Sequence, residues 1–301
     1  MTLNPRLAFV AFAASTLLAA CGGGGGSSGS GSNAATAGSA TAGNPLYSQT
    51  LLVTVNGSNL DTGISANSAG CANLALSTTA PNISNASTAY FKCTVNAVGA
   101  QQVTVLRGDG ATLITVPFTV PVPQVTLAVS NGAGVAGNVV ITLTPQQTPV
   151  TVTNFLNYVN AGFYAGTVFH RLVSNFVIQG GGYASPLTAG GALPTHKTTN
   201  AAITLEDGAG LSNLKWTVAM ARTNVADSAT SEFFFNLVDN TFLDKTSTAR
   251  GYAVFGSITA GTDVVTAMSG APCAAWPAFF GGGTDCLPSP NLVVTGAVQT
   301  R

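Results

Sequence analysis

Residues 169–181 read FHRLVSNFVIQGG, which sets one cation, Arg171, among aromatic and aliphatic residues and one uncharged amide, Gln179, eight positions on. Only 7% of the chain is charged, and Lys and Arg together number ten. A buried guanidinium is costly unless it is paired, so an Arg inside an apolar segment marks a site at the rim of an apolar pocket. The chemistry open to such a site is that of a fixed cation. The five cysteines have no metal-ligand spacing and the chain has two His, so neither a metal nor a cofactor is expected. His170, beside the cation, is read as a structural residue.

The segments that must position this block are mostly strands. LLVTV (51–55), AYFKCTV (89–95), QQVTVL (101–106) and TLITVPFTV (112–120) are short β-branched runs separated by Gly, Asn, Asp and Ser turns. They predict a small, loosely Ig-like β-sandwich over residues 46–121. It holds no cluster of His, acids or nucleophiles and is read as a spacer or binding module. Pro121-Val122-Pro123 marks a linker, and VTLAVS (125–130) with VVITL (139–143) predicts a hairpin around an Asn-Gly turn. Thr148 caps a predicted helix with Pro149 in its first turn. Val152, Phe155, Leu156 and Val159 fall at i, i+3, i+4 and i+7, and Gly162 stops it. A second short helix is predicted from Thr262, carrying Val264, Val265 and Met268. Many strands with two helices predict a mainly β chain whose larger domain, 122–301, is a closed antiparallel barrel with its ends covered by helices.

The N-terminus carries an address. Arg6 precedes an apolar run from Leu7 to Leu18, the length of a signal h-region and too short to span a bilayer. Leu18-Ala19-Ala20-Cys21 before five glycines resembles the bacterial lipobox, which implies a signal peptide over 1–20, a lipidated Cys21 and a chain tethered to a membrane by several acyl chains. Gly22 after the cysteine favours the outer membrane of a bacterial envelope. Residues 21–45, rich in Gly, Ser, Ala and Thr, are expected to be a flexible tether; its last 24 or so residues would span roughly 27 Å. With Cys21 lipidated, Cys71, Cys93, Cys273 and Cys286 remain, an even number that fits disulfides in an oxidising compartment. Three connectivities are possible, of which 71–93 with 273–286 keeps each bond within one domain. A formal net charge of zero gives no electrostatic case for nucleic acid or for an anionic membrane surface. The N-x-S triplets at Asn56, Asn82 and Asn85 are read as chance matches in a bacterial lipoprotein.

From about residue 124 onward the chain resembles the cyclophilins, peptidyl-prolyl cis–trans isomerases, in their bacterial branch. NFLNYVNAGFYAGTVFHR (154–171), FVIQGGG (176–182), VAMARTNVADSATSEFFFNLVDNTFLD (218–244) and GYAVFG (251–256) carry the resemblance. It implies a cyclophilin-like barrel with two capping helices, Arg171 as the catalytic residue and Gln179 as the amide that orients it and bonds the substrate backbone. It implies that Phe176, Val177, Phe234 and Leu243 line a proline pocket and that Ala221 and the Arg222 backbone form the shelf for the substrate chain. Phe242 and Tyr252 then stand where many eukaryotic members carry Trp and His. Three departures stand out: Val177 for a common Met, Phe242 for Trp, and Glu232 in SEFF where SQFF is usual. Glu232 is expected to help orient Arg171, directly or through Gln179. The stretch 271–288 is longer than a plain barrel connection. The implied partners are proline-containing client polypeptides, met by a monomer; a non-catalytic binding module or a structural surface lipoprotein fits the intact Arg171, Phe176, Gln179 and Phe234 set less well.

Overall fold

A computed structural model describes residues 34–188, 194–275 and 285–301. The signal peptide and Cys21 lie outside the described residues, as do residues 21–33 of the expected tether. The remainder of that tether requires correction: Thr36–Ala42 form a strand, β1, paired antiparallel with β2 (Thr50–Ser58). Small side chains that look like a flexible linker serve here as an edge strand, because a neighbour supplies the hydrogen bonds.

The N-terminal part is built from two sheets. One has the order β1-β2-β5-β4, with β4 at Cys71–Leu76 and β5 at Thr88–Val95. The other has the order β3-β6-β7, with β3 at Ser65–Asn67, β6 at Gly99–Leu106 and β7 at Thr112–Val120. Alternate residues Leu51, Val53 and Val55 of β2, and Val103 and Val105 of β6, are buried, which is the period-2 pattern that half-buried strands need. The Cys71–Cys93 bond joins adjacent strands β4 and β5, so the local pairing expected from sequence is present.

The remaining strands close a barrel. They are β8 (Gln124–Ser130), β9 (Ala136–Leu143), β10 (Thr167–Val173), β11 (Val177–Ala184), β12 (Thr217–Met220), β13 (Phe233–Asn236), β14 (Val254–Ala260) and, after the short β15 (Cys273–Ala275) and β16 (Cys286–Pro288), β17 (Leu292–Gln299). The order β11-β13-β12-β14-β9-β8-β17-β10 returns to β11 through the β10–β11 pairing, and β16 and β15 branch from β10. Phe169, Phe233, Phe235 and Phe255 point inward. Phe233 and Phe255 meet Phe155 of helix α1 (Pro149–Asn160), whose ring lies 5.5 Å from Phe233 and 5.0 Å from Phe255. Helix α2 (Thr262–Ser269) buries Val265 and Met268.

Helix α1 starts where the sequence placed it, but its cap differs. The Thr148 hydroxyl bonds within the preceding turn, to Thr144. The free N–H groups of the first turn go instead to Glu206, which accepts from the backbone of Val150 at 3.1 Å and of Thr151 at 2.8 Å. A carboxylate at a helix N-terminus also faces the positive end of its dipole. The two parts of the chain meet at Gln299, whose side-chain amide donates to the Tyr47 carbonyl at 3.0 Å and accepts from Gln49 at 2.9 Å. Their buried residues form one continuous core.

Candidate active site

The site is a matter of strand register. Arg171 of β10 lies directly across from Gln179 of β11, and Gln179 across from Phe234 of β13, which in turn faces Ala219 of β12. Residues opposite one another share a face, so all four belong to one surface of the barrel. Phe169 and Leu172 both enter the core, although they are three residues apart. That is possible because the register shifts between Phe169 and Arg171, a β-bulge centred on His170. Without the extra residue Arg171 would follow Phe169 into the barrel; a bulge re-aims a side chain in this way.

On this outer face Val177, Ala219, Phe234 and Val254 form a second apolar cluster, distinct from the barrel core. Phe176, Ala221, Leu243 and Tyr252 pack around it. The Tyr252 ring stands edge-on to Phe234 at 5.6 Å, and Arg222 lies over Tyr252 at 4.7 Å. Phe242 is 71% exposed yet stacks on Phe176, with ring centres 5.6 Å apart. The residues expected to line a pocket are thus brought together around Arg171 and Gln179. Polar anchors fix the walls. Asn240 donates to the Phe176 carbonyl at 3.0 Å, and Asp244, next to Leu243, accepts from both nitrogens of Asn213 at 2.8 Å.

The cation is held in a chain of contacts. Arg171 Nη1 donates to Gln179 Oε1 at 3.3 Å, and Gln179 Nε2 donates to Glu232 Oε2 at 2.7 Å. Glu232 therefore reaches Arg171 through Gln179, the second of the two routes expected. Its other oxygen lies 2.7 Å from His196 Nε2, and His170 Nε2 is 3.5 Å from Oε2. Sequence reasoning missed His196 and Asp285, whose carboxylate lies 2.6 Å from Arg171 Nε. His196 arrives by a return of the chain along the edge of β11, where Lys197 N–H bonds Gly182 at 2.9 Å. No local pattern announces such a return.

The electrostatics follow from these contacts. Burial alone would raise the Glu232 carboxyl, but the His196 hydrogen bond, the His170 ring and the Gln179 amide together bring it below its ordinary value. His196 is raised, chiefly by the Glu232 hydrogen bond, and His170 is lowered by burial. His170 is thus a neutral, buried ring against Tyr183, 4.9 Å away, in keeping with a structural role. The glycines after Gln179 make room for this group: a Cβ on Gly182 would come within 2.2 Å of Glu232 Oε1 and 2.6 Å of His196 Nε2. Gly181, at φ +92°, has the Ser231 carbonyl 2.8 Å from where a Cβ would stand.

The family described as cyclophilin type peptidyl-prolyl cis-trans isomerase/CLD matches residues 125–278. Over 134 residues the chain is 46% identical to peptidyl-prolyl cis-trans isomerase A of Dickeya dadantii, covering 44% of this chain and 67% of that protein. It is 49% identical over 138 residues to peptidyl-prolyl cis-trans isomerase cyp18 of Streptomyces antibioticus, covering 45% and 79%. Peptidyl-prolyl cis-trans isomerase B of Escherichia coli is 41% identical over 137 residues, covering 44% and 79%. Among solved structures, a Cryptosporidium parvum cyclophilin type peptidyl-prolyl cis-trans isomerase aligns with a TM-score of 0.46 at 18% identity, over 60% of this chain and 98% of that one.

The Glu232–His196 pair makes stability depend on pH with a defined sign. The raised His196 contributes fully below its ordinary value of 6.5 and loses that contribution as pH climbs through the folded value. The lowered Glu232 contributes fully above its ordinary 4.5 and loses it as pH falls through the folded value. The pair is therefore worth most between those two values. An NMR titration should find His196 above 6.5 in the native chain and returned toward 6.5 in Gly182→Ala, where the new methyl displaces Glu232. An unchanged titration in that variant contradicts the pairing.

Proposed function

Since this chain belongs to the cyclophilin-type peptidyl-prolyl cis–trans isomerases, we propose that it turns X–Pro bonds in exported or surface polypeptides, with Arg171 as its catalytic residue. One observation carries the reading: a guanidinium held on two sides stands beside an outward apolar cluster that can take a proline ring.

The reaction sets modest demands. Rotation about the amide is opposed by a resonance barrier of about 18–20 kcal/mol, and no covalent bond has to be made or broken. In the twisted state the prolyl nitrogen becomes pyramidal and regains its lone pair. A cation beside that nitrogen binds the twisted amide better than the planar one, which is catalysis by differential binding. The proline ring would rest against Phe176, Val177, Phe234 and Leu243, with Phe242 and Tyr252 at its border. The substrate chain would run along Ala221 and the Arg222 backbone, and Gln179 would bond its backbone while steadying Arg171. Glu232 would act behind Gln179, holding the amide in the orientation that presents its oxygen to the cation. Val177 makes the floor of the cluster stiffer than an unbranched residue would, because its χ1 is restricted.

The same reading sets the enzyme at a bacterial envelope: the apolar run 7–18 and the lipobox-like 18–21 support export and lipidation of Cys21. Two intrachain disulfides accord with an oxidising compartment. Among the described residues no helix is long and apolar enough to cross a membrane.

Two experiments test this reading. Arg171→Ala should lower kcat/KM on a short X–Pro peptide at least about a hundredfold, roughly 2.7 kcal/mol of transition-state binding, with an unchanged fold by circular dichroism. Activity equal to that of the native chain refutes the cation mechanism. The full-length chain expressed in a bacterium should fractionate with membranes, and Cys21→Ser should release it to the soluble fraction. A Cys21→Ser chain that stays with the membrane contradicts the lipid anchor.

A further inference from the structure

Asp285 lies beyond residues 125–278, the stretch that matches the family, yet among the described residues it makes the shorter of the two side-chain hydrogen bonds of Arg171, 2.6 Å from Nε to Oδ2. Both side chains are only partly exposed, 28% for Arg171 and 20% for Asp285. Three features bring the carboxylate there. Strand β16 pairs antiparallel with β10, Cys286 opposite Leu172. In this antiparallel register Asp285, one residue before Cys286, falls across from Val173; it shares the face of Arg171 and lies diagonally from it, at a distance long side chains can bridge. Strand β16 is in turn paired with β15 through Cys273↔Pro288 and Ala275↔Cys286, and the Cys273–Cys286 bond closes the same hairpin.

We propose that Asp285 is a positioning residue for Arg171, supplied by the disulfide-closed β15–β16 hairpin; the inference rests on the reading of Arg171 as the catalytic cation. Gln179 holds one terminal nitrogen at 3.3 Å and Asp285 holds Nε at 2.6 Å. Two contacts at different nitrogens fix the plane of a guanidinium, where one leaves it free to swing. Nη2, which has no partner among the described residues, is then the nitrogen left to meet the substrate. Fixing a donor before the reaction removes the cost of ordering it as charge develops. A bond from Nε to a carboxylate pairs two opposite charges, whereas the bond to Gln179 meets an uncharged amide oxygen at a longer distance, so Asp285 is the firmer of the two holds. The carboxylate also offsets part of the positive charge, and the two effects oppose each other. Positioning prevails because the partly exposed setting screens the loss of charge while orientation stays an all-or-none matter of geometry.

The test uses the full chain with a short X–Pro peptide, separating kcat from KM. Asp285→Asn should lower kcat about tenfold while KM stays within about twofold, and Asp285→Glu should restore kcat to within about threefold of the native value. In an Arg171→Lys background, which has no Nε fork to hold, Asp285→Asn should cause no further loss. An NMR spectrum should also show the Arg171 Nε–H resonance of the native chain moved in Asp285→Asn and recovered in Asp285→Glu, a change that general loosening of the hairpin would not restore. If Arg171→Ala is inactive while Asp285→Asn keeps or raises kcat, the positioning role is overturned and the cation mechanism survives. If Arg171→Ala is fully active, the cation mechanism fails and this inference fails with it.

Discussion

The β10–β11 pairing both closes the barrel and sets Arg171 against Gln179. The same hydrogen-bonded ladder that removes the barrel's open edges thus fixes the catalytic candidate relative to the amide that steadies it. The bulge at His170 then decides which way Arg171 faces. Phe169 and Leu172 stay in the core, so the cost of the bulge is borne by a strand anchored on either side by buried apolar residues. The outer face is left with a guanidinium, an amide and a patch of aromatic and aliphatic side chains.

A cation beside a dry surface needs counter-charges that hold it without covering it. Here they stand behind and beside it. Glu232, partly buried yet below its ordinary carboxyl value, backs the Gln179 amide, and His196 backs Glu232. Asp285 approaches from the hairpin on the other side. This arrangement explains why three glycines follow Gln179: side chains there would fill the space that Phe169, the Ser231 carbonyl and the Glu232–His196 pair occupy.

Much of this was legible in the sequence where it depended on neighbours along the chain. The β-branched runs became strands, Pro149 opened a helix that Gly162 closed, and the two cysteine pairs joined locally. Phe176, Val177, Phe234, Leu243 and Tyr252, separated along the chain, pack in one apolar cluster. What could not be read depended on distant segments. Strand β1 hid in a run of small residues because its bonds come from β2. The cap of α1 is Glu206 rather than Thr148, and no local spacing links them. His196 reaches the site from a segment with no local pattern, and Asp285 from the 271–288 stretch, whose extra length shows in sequence while its contact with Arg171 does not. The bulge is silent as well, since one inserted residue leaves no mark on composition.

The account comes down to where a proline lies relative to Arg171. A crystal structure of the chain with a short X–Pro peptide would test it most directly. The ring should rest on Phe176, Val177 and Phe234, with the Arg171 guanidinium within hydrogen-bond reach of the prolyl residue and still bound to Asp285 and Gln179. A peptide seated away from this cluster, or an Arg171 turned away from the prolyl bond, would contradict the account.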